Sequence, residues 1–194
     1  MCGIVGYTGF QDAYDIVING LRRLEYRGYD SAGIVLEDKN NNFEVKKTKG
    51  KVSDLVAISE NLKGTSHIGM GHTRWATHGV PSDRNSHPHV SNDGKIALVH
   101  NGIIENYDTI KTMLIGKGFT FLSETDTEVL VNLIQYILDT QNVDFPQAVR
   151  YALNEVYGAY AITVMHKDYP GVLVVGRLGS PLAIGLGDKE YFIA

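Results

Sequence analysis

Cysteine is nearly absent from this chain: among 194 residues only Cys2 carries a thiol. An internal disulfide framework is thereby excluded. Positive charge is not in excess either. The 18 Lys and Arg stand against 22 Asp and Glu, for a formal charge of -4, so the chain lacks the basic surface of a nucleic-acid binder. No apolar run approaches about 18 residues, and no membrane-spanning helix is expected. The first residues have neither the basic nor the long apolar region of a secretory signal. A cytoplasmic, reducing setting is the expectation, and a free thiol persists best there. Repeats and low-complexity tracts are missing as well. A chain of 194 residues with 43% hydrophobic and 21% charged residues is expected to fold as one large domain.

Metal and cofactor signatures are also lacking. His72, His78, His87, His89 and His100 lie near one another in sequence, but neither a Cys pair nor an H-E-x-x-H step accompanies them. A structural or supporting role is expected for these rings, with no metal. The G-x-G steps at 116–118 and 185–187 lack the further glycine of a dinucleotide fingerprint, and no cofactor is expected.

What is present reads as alternating strands and helices. A short apolar strand over 3–8 precedes an amphipathic helix over 11–26, whose apolar face carries Ala13, Ile16, Val17, Leu21 and Leu24. Strands over 31–37 and 43–49 form a hairpin around the turn at 38–42. A second helix is expected over 52–62, then strands over 67–73 and 96–101. The segment 74–95 between them is polar, holds Pro81 and Pro88, and reads as a long functional loop. A third helix covers 105–115. Thr125-Asp126-Thr127-Glu128 matches a capping box that opens a helix through 138. One more helix is expected over 145–156. The last strands, over 159–165, 172–176, 182–187 and 191–193, are continuous apolar runs, which suggests sheets covered on their faces. The chain stops at Ala194 directly after an apolar strand, and is expected to be cut from something longer.

Four segments could carry chemistry. In the first, Cys2-Gly3-Ile4-Val5-Gly6, removal of Met1 would leave a thiol and a free α-amine on one residue, a nucleophile beside its own base. An ordinary lone cysteine is a small buried hydrophobe, but a core residue has no need of the chain's terminus. The second runs from Gly71 to Gly79, with Arg74 suited to grip a carboxylate in a bidentate fork or to form a plain surface ion pair. Trp75, the sole tryptophan, is otherwise a packing residue. In the third, His100-Asn101-Gly102, the Asn-Gly step is either a turn or an oxyanion hole made of a side-chain amide and a backbone N–H. In the fourth, Asp126 is either a carboxylate favoured at a helix N-terminus or the partner of an amino acid's ammonium.

Taken with residues 21–33, LRRLEYRGYDSAG, these segments resemble the class II glutamine amidotransferases. The stretches 72–79, 100–106 and 123–129 narrow the resemblance to the glutaminase domain of the glutamine–fructose-6-phosphate aminotransferases, over essentially the whole of 1–194. The resemblance implies an α+β N-terminal-nucleophile hydrolase fold, a four-layer α/β/β/α sandwich with two mostly antiparallel sheets. It implies that Cys2 attacks the side-chain amide of L-glutamine, that ammonia leaves, and that water hydrolyses the γ-glutamyl thioester. It assigns Asn101 and Gly102 to the oxyanion hole, and Arg74 and Asp126 to the α-carboxylate and α-ammonium of glutamine. Thr77 and His78 would line the pocket, Trp75 would belong to a gate, and Arg27 would order the loop over the nucleophile. It further implies a sugar-phosphate isomerase domain C-terminal to this chain, a homodimer at full length, and a glutaminase domain that runs past residue 194.

Two other readings fit parts of the pattern. An N-terminal-cysteine hydrolase of other amides would need a large apolar pocket, whereas Arg74 and Asp126 suit a zwitterion. A non-catalytic glutamine-sensing domain would be signalled by loss of Cys2 or Asn101, and both are present.

Overall fold

The computed structural model describes residues 2–75 and 79–194. Their strands form two antiparallel sheets. The larger contains β1 (Gly3–Thr8), β2 (Ser31–Glu37), β3 (Phe43–Lys49), β4 (Ile68–Arg74), β9 (Ile184–Leu186) and β10 (Tyr191–Ile193), in the order β3-β2-β4-β1-β10-β9. The smaller contains β5 (His89–Val90), β6 (Ile96–Ile104), β7 (Gly158–His166) and β8 (Val174–Leu178), in the order β5-β6-β7-β8. Helices α1 (Ala13–Leu24) and α2 (Val52–Ser59) cover the larger sheet, and α3 (Tyr107–Gly116), α4 (Asp126–Thr140) and α5 (Phe145–Glu155) cover the smaller.

Side-chain alternation explains the layering. On β1, Val5 and Tyr7 point into the cluster shared with α1 and α2, while Ile4 points the other way. On β6, Ile96 and Leu98 face α4 and α5, while Ala97 and Val99 face the opposite sheet. Strands covered on both faces read in sequence as unbroken apolar runs, because neither parity is left for water. The middle cluster joins Ile4, Val35, Met70, Ala97, Val99, Ala161 and Met165. The expected α/β/β/α sandwich is the observed architecture.

Local chemistry sets the element ends. The first helix starts at Ala13 rather than at 11, because Asp12 caps it by accepting from the Tyr14 N–H. The capping box expected at Thr125 is only half formed. Thr125 accepts from the Glu128 N–H at 3.3 Å, but the Glu128 carboxylate turns away to the N–H groups of Leu122 and Ser123. The reciprocal box lies instead at Asp144 and Gln147, opening α5. Two strand expectations need correcting. The sixth strand continues three residues past Asn101, so Asn101-Gly102 is not a turn. The segment expected as an open loop holds a short strand, His89–Val90, paired with Ala97 and Leu98.

That segment is also buried. Residues 85–89 are enclosed because Gly33, on the inner face of β2, leaves space for the His87 backbone. A Cβ at Gly33 would run into the His87 carbonyl oxygen. Gly33→Ala is expected to cost roughly 1–3 kcal/mol through overpacking against backbone that has little room to yield. Denaturant unfolding measures this, and an unchanged midpoint would show that 85–89 is loosely held.

Candidate active site

Strand alternation brings the chemistry to one place. Cys2 continues the parity of Ile4, His72 and Arg74 that of Met70, and Asn101 that of Val99, so all four face the space between the sheets. They meet at one end of it. A cavity of about 10 Å³, the size of a single water, is lined by Cys2, His72, Arg74, Trp75, Gly102 and Asp126, with His87, His100, Thr125 and Thr127 behind them.

The thiol is held by the backbone of its neighbour. The Trp75 N–H donates to Cys2 Sγ at 3.2 Å, and the thiol donates back to the Trp75 carbonyl at 3.4 Å. Burial pushes the thiol pKa up, against a lowering by the Trp75 backbone contact. A buried thiol of this kind stays protonated until a base takes the proton. The indole of Trp75 points outward, 48% exposed, edge-on to the Tyr29 ring at 5.4 Å.

Asn101 sits across from the thiol. Its Nδ2 donates to the Cys2 carbonyl at 3.4 Å, and its Oδ1 lies 2.9 Å from His72 Nε2. Gly102 has φ of +135°, and a Cβ there would collide with the Ala159 carbonyl, so only glycine fits. Asp126 is the first residue of α4, with its carboxylate buried. Its Oδ2 accepts from the Ile104 N–H at 2.8 Å and lies 4.0 Å from His100 Nδ1, which also meets the Thr127 hydroxyl at 3.0 Å. Buried Arg74 donates to the Gly79 carbonyl at 3.1 Å.

The structure thus brings together Cys2, Arg74, Trp75, Asn101, Gly102 and Asp126. Arg27 is not on the cavity wall. It ends a 3-10 turn, Glu25–Arg27, and the next residue, Gly28, packs against the Arg74 backbone. Thr77 and His78, expected in the pocket, lie outside the described residues, as does Met1.

The histidines take the supporting role expected of them, together with Lys47 and Asn85, which the sequence did not single out. His87 stacks on His72 with ring centroids 4.2 Å apart and meets His89 edge-on at 5.0 Å. Its Nδ1 accepts from the His100 N–H, and His89 Nε2 meets the Thr125 hydroxyl. Lys47 reaches in from β3 and donates to the carbonyls of Ser86 at 2.9 Å, Pro88 at 3.3 Å and Arg84 at 3.4 Å, while burial lowers its pKa to about 8. Asn85 ties the same segment to Glu124 through both ends of its amide. For His72 a signal existed, since it shares a strand face with Met70 and Arg74. For Lys47 and Asn85 there was none, because the groups they tie together lie far apart in sequence.

The two stacked sheets, with a terminal thiol at the mouth of the space between them, define an N-terminal-nucleophile amidotransferase domain. Residues 39–190 match the glutamine amidotransferase domain family, and the chain belongs to that family. It is 54% identical to the glutamine–fructose-6-phosphate aminotransferase (isomerizing) of Bacteroides thetaiotaomicron and 53% identical to that of Caldanaerobacter subterraneus. Both alignments cover all of this chain but only 32% and 31% of those proteins, so the chain spans about a third of their length. Among solved structures, the glutamine phosphoribosylpyrophosphate amidotransferase of B. subtilis, in complex with ADP and GMP, superposes with a TM-score of 0.83 at 28% identity, over 100% of this chain and 41% of that one. A glutamine aminotransferase class-II domain protein from Silicibacter pomeroyi, 14% identical with a TM-score of 0.65, shares the fold over 100% of this chain and 87% of its own.

Burial has a consequence for acid stability. It lowers the pKa of His72 to about 3 and those of His87 and His89 well below their ordinary value. Well above about pH 6.5, the ordinary pKa of histidine, these rings are neutral in both folded and unfolded chains. Below it the unfolded chain takes up protons that the native one refuses, so stability falls as pH falls. Stability should therefore fall steeply through this range, and His166, whose pKa burial also lowers, adds to the fall. Melting temperatures from pH 7 to pH 5 at fixed ionic strength test this, and a flat profile would mean the rings are not held neutral.

Proposed function

We propose that the chain hydrolyses L-glutamine to glutamate and ammonia through a γ-glutamyl thioester on Cys2. The observation that carries the reading is the small cavity lined by Cys2, Gly102, Arg74 and Asp126, with the Asn101 amide donating to the Cys2 carbonyl beside it. With Met1 removed, the α-amine of Cys2 takes the thiol proton, and the thiolate attacks the γ-carboxamide carbon. The oxyanion that forms is met by Asn101 Nδ2 and the Gly102 N–H. The amine returns the proton to the departing nitrogen, and ammonia leaves. Water, with its proton taken by the same amine, then attacks the thioester carbonyl, and the tetrahedral adduct collapses to glutamate and free thiol.

Arg74 grips the α-carboxylate and Asp126 the α-ammonium, and the same reading gives Thr77 and His78, outside the described residues, a part in substrate binding. Glutamine is far larger than the cavity, so binding has to move part of that wall outward. The exposed Trp75 ring, against Tyr29, is the part free to move and serves as the gate, with Arg27 ordering the adjoining loop. Residues 1–194 act as the glutaminase domain of a longer, cytoplasmic, homodimeric protein, whose C-terminal isomerase domain uses the ammonia to make glucosamine 6-phosphate from fructose 6-phosphate. The named activity of relatives identical at more than half of their aligned positions supports that extension.

Cys2→Ala should abolish ammonia release from glutamine while leaving the melting temperature within a few degrees, since the thiol supports little of the core. Ammonia release at a comparable rate from the variant would sink the mechanism. The charge clamp is tested separately. Asp126→Asn keeps an acceptor for the Ile104 N–H but removes the charge, and Arg74→Gln removes the guanidinium. Each should raise KM by about one to two decades. N-acetylglutamine and glutaminamide should be poor substrates. Equal turnover of the blocked analogues would favour a broader amide hydrolase.

A further inference from the structure

We propose that His72 is a positioning residue that fixes which end of the Asn101 amide faces the nucleophile, and that the His87 ring, held through Lys47, keeps His72 in place. The inference rests on the role proposed for Asn101. A primary amide has two ends of nearly equal size. Its NH2 end stabilises a developing oxyanion, and its carbonyl end repels one. A half-turn about the terminal torsion exchanges the two at little steric cost. Catalysis therefore needs something that tells them apart.

The two neighbours of Asn101 do so together. On the nucleophile side the Cys2 carbonyl can only accept, and it faces Nδ2 at 3.4 Å. On the far side His72 Nε2 faces Oδ1 at 2.9 Å. A ring protonated at Nε2 donates to Oδ1 and leaves the amide NH2 pointing toward Cys2. Reversal would set the amide carbonyl against the Cys2 carbonyl and the NH2 against a ring N–H. His72 is fully buried; its side-chain hydrogen bond goes to Asn101, and the His100 backbone also contacts the ring.

The ring has little freedom to leave. His87 stacks on it, with planes 20° apart. His87 in turn accepts the His100 N–H at Nδ1, in the middle of the strand that carries Asn101. The backbone around His87 is gripped by the Lys47 ammonium through the carbonyls of Ser86 and Pro88. The missing side chain at Gly33 gives that backbone its place.

A double-mutant cycle for glutamine hydrolysis, on the intact chain, tests the inference. His72→Phe keeps a flat ring for the stack but loses the donor. His72→Gln returns an N–H near the position of Nε2. With His72→Phe, kcat should fall by about ten- to a hundredfold, within the 10²–10³ that loss of the whole donor costs, and KM should stay within about twofold. His72→Gln should recover most of kcat. In an Asn101→Ala background, His72→Phe should change kcat by less than about twofold, because there is no amide left to orient. Should His72→Phe fail to fold by its melting curve, His72→Asn takes its place, since its shorter amide falls near Nδ1. A His72 effect of equal size with and without Asn101, or one confined to KM, would overturn the inference and leave the oxyanion hole standing. An Asn101→Ala enzyme with undiminished kcat would overturn the oxyanion hole itself, and the inference with it.

Discussion

Successive residues of a strand face opposite ways, and in this molecule that alternation separates the chemistry from its support. On β1, β4 and β6 one parity is spent on helices that close the outside, and the other on the space between the sheets. Over most of their length the inward side chains are Ile, Val, Met and Ala, which pack into a dry layer. At one end the same parity delivers Cys2, His72, Arg74 and Asn101. A one-residue slip in the pairing of β1 with β4 would turn the nucleophile to the helix side. The ladder that sets Gly3 against Thr73 and Ile4 against His72 is therefore also what aligns the site.

Inside that space burial favours the uncharged forms of His72, His87 and His89. The stacked histidines are neutral because nothing around them can solvate an imidazolium. A neutral ring offers one N–H and one acceptor nitrogen, and these serve as fixed hydrogen-bonding groups inside the fold. Lys47 is a different kind of buried group. It brings a cation to the edge of the apolar layer and satisfies it with backbone carbonyls, which links a surface strand to the ordering of a segment deep in the site.

The elements were largely legible in the sequence, since apolar periodicity and capping residues are local. Strands 3–8, 31–37 and 43–49 fall where alternation and the turn at 38–42 put them. The misreadings all come from distance. Asn101-Gly102 looks like a turn until β7 is laid beside it, and then the positive φ of Gly102 is a close approach to the Ala159 carbonyl inside a ladder. Glu128 looks like a box partner for Thr125, but it satisfies Leu122 and Ser123, whose N–H groups have no helix to join. Residues 74–95 look like a long loop because their polarity and prolines show no periodicity, yet 85–90 are packed into the fold and their end, 89–90, pairs with β6. His87 and His89 are polar and buried together, each satisfied by groups from other elements. The site residues themselves came from motif resemblance. Arg74 and Asp126 bear no relation in sequence that would put them in one cavity.

Trp75 serves the site with its backbone and faces outward with its ring. The two atoms that grip the thiol, an N–H and a carbonyl, exist in almost any residue. Selection on recognition at the mouth and selection on chemistry at the sulfur therefore act on different atoms of one position. The outward surface can be remodelled by substitution, toward another neighbouring domain or another rate of opening, without disturbing the reactive centre a few ångströms beneath it. A single scaffold can thus carry different rims above one unchanged pair of contacts to the sulfur.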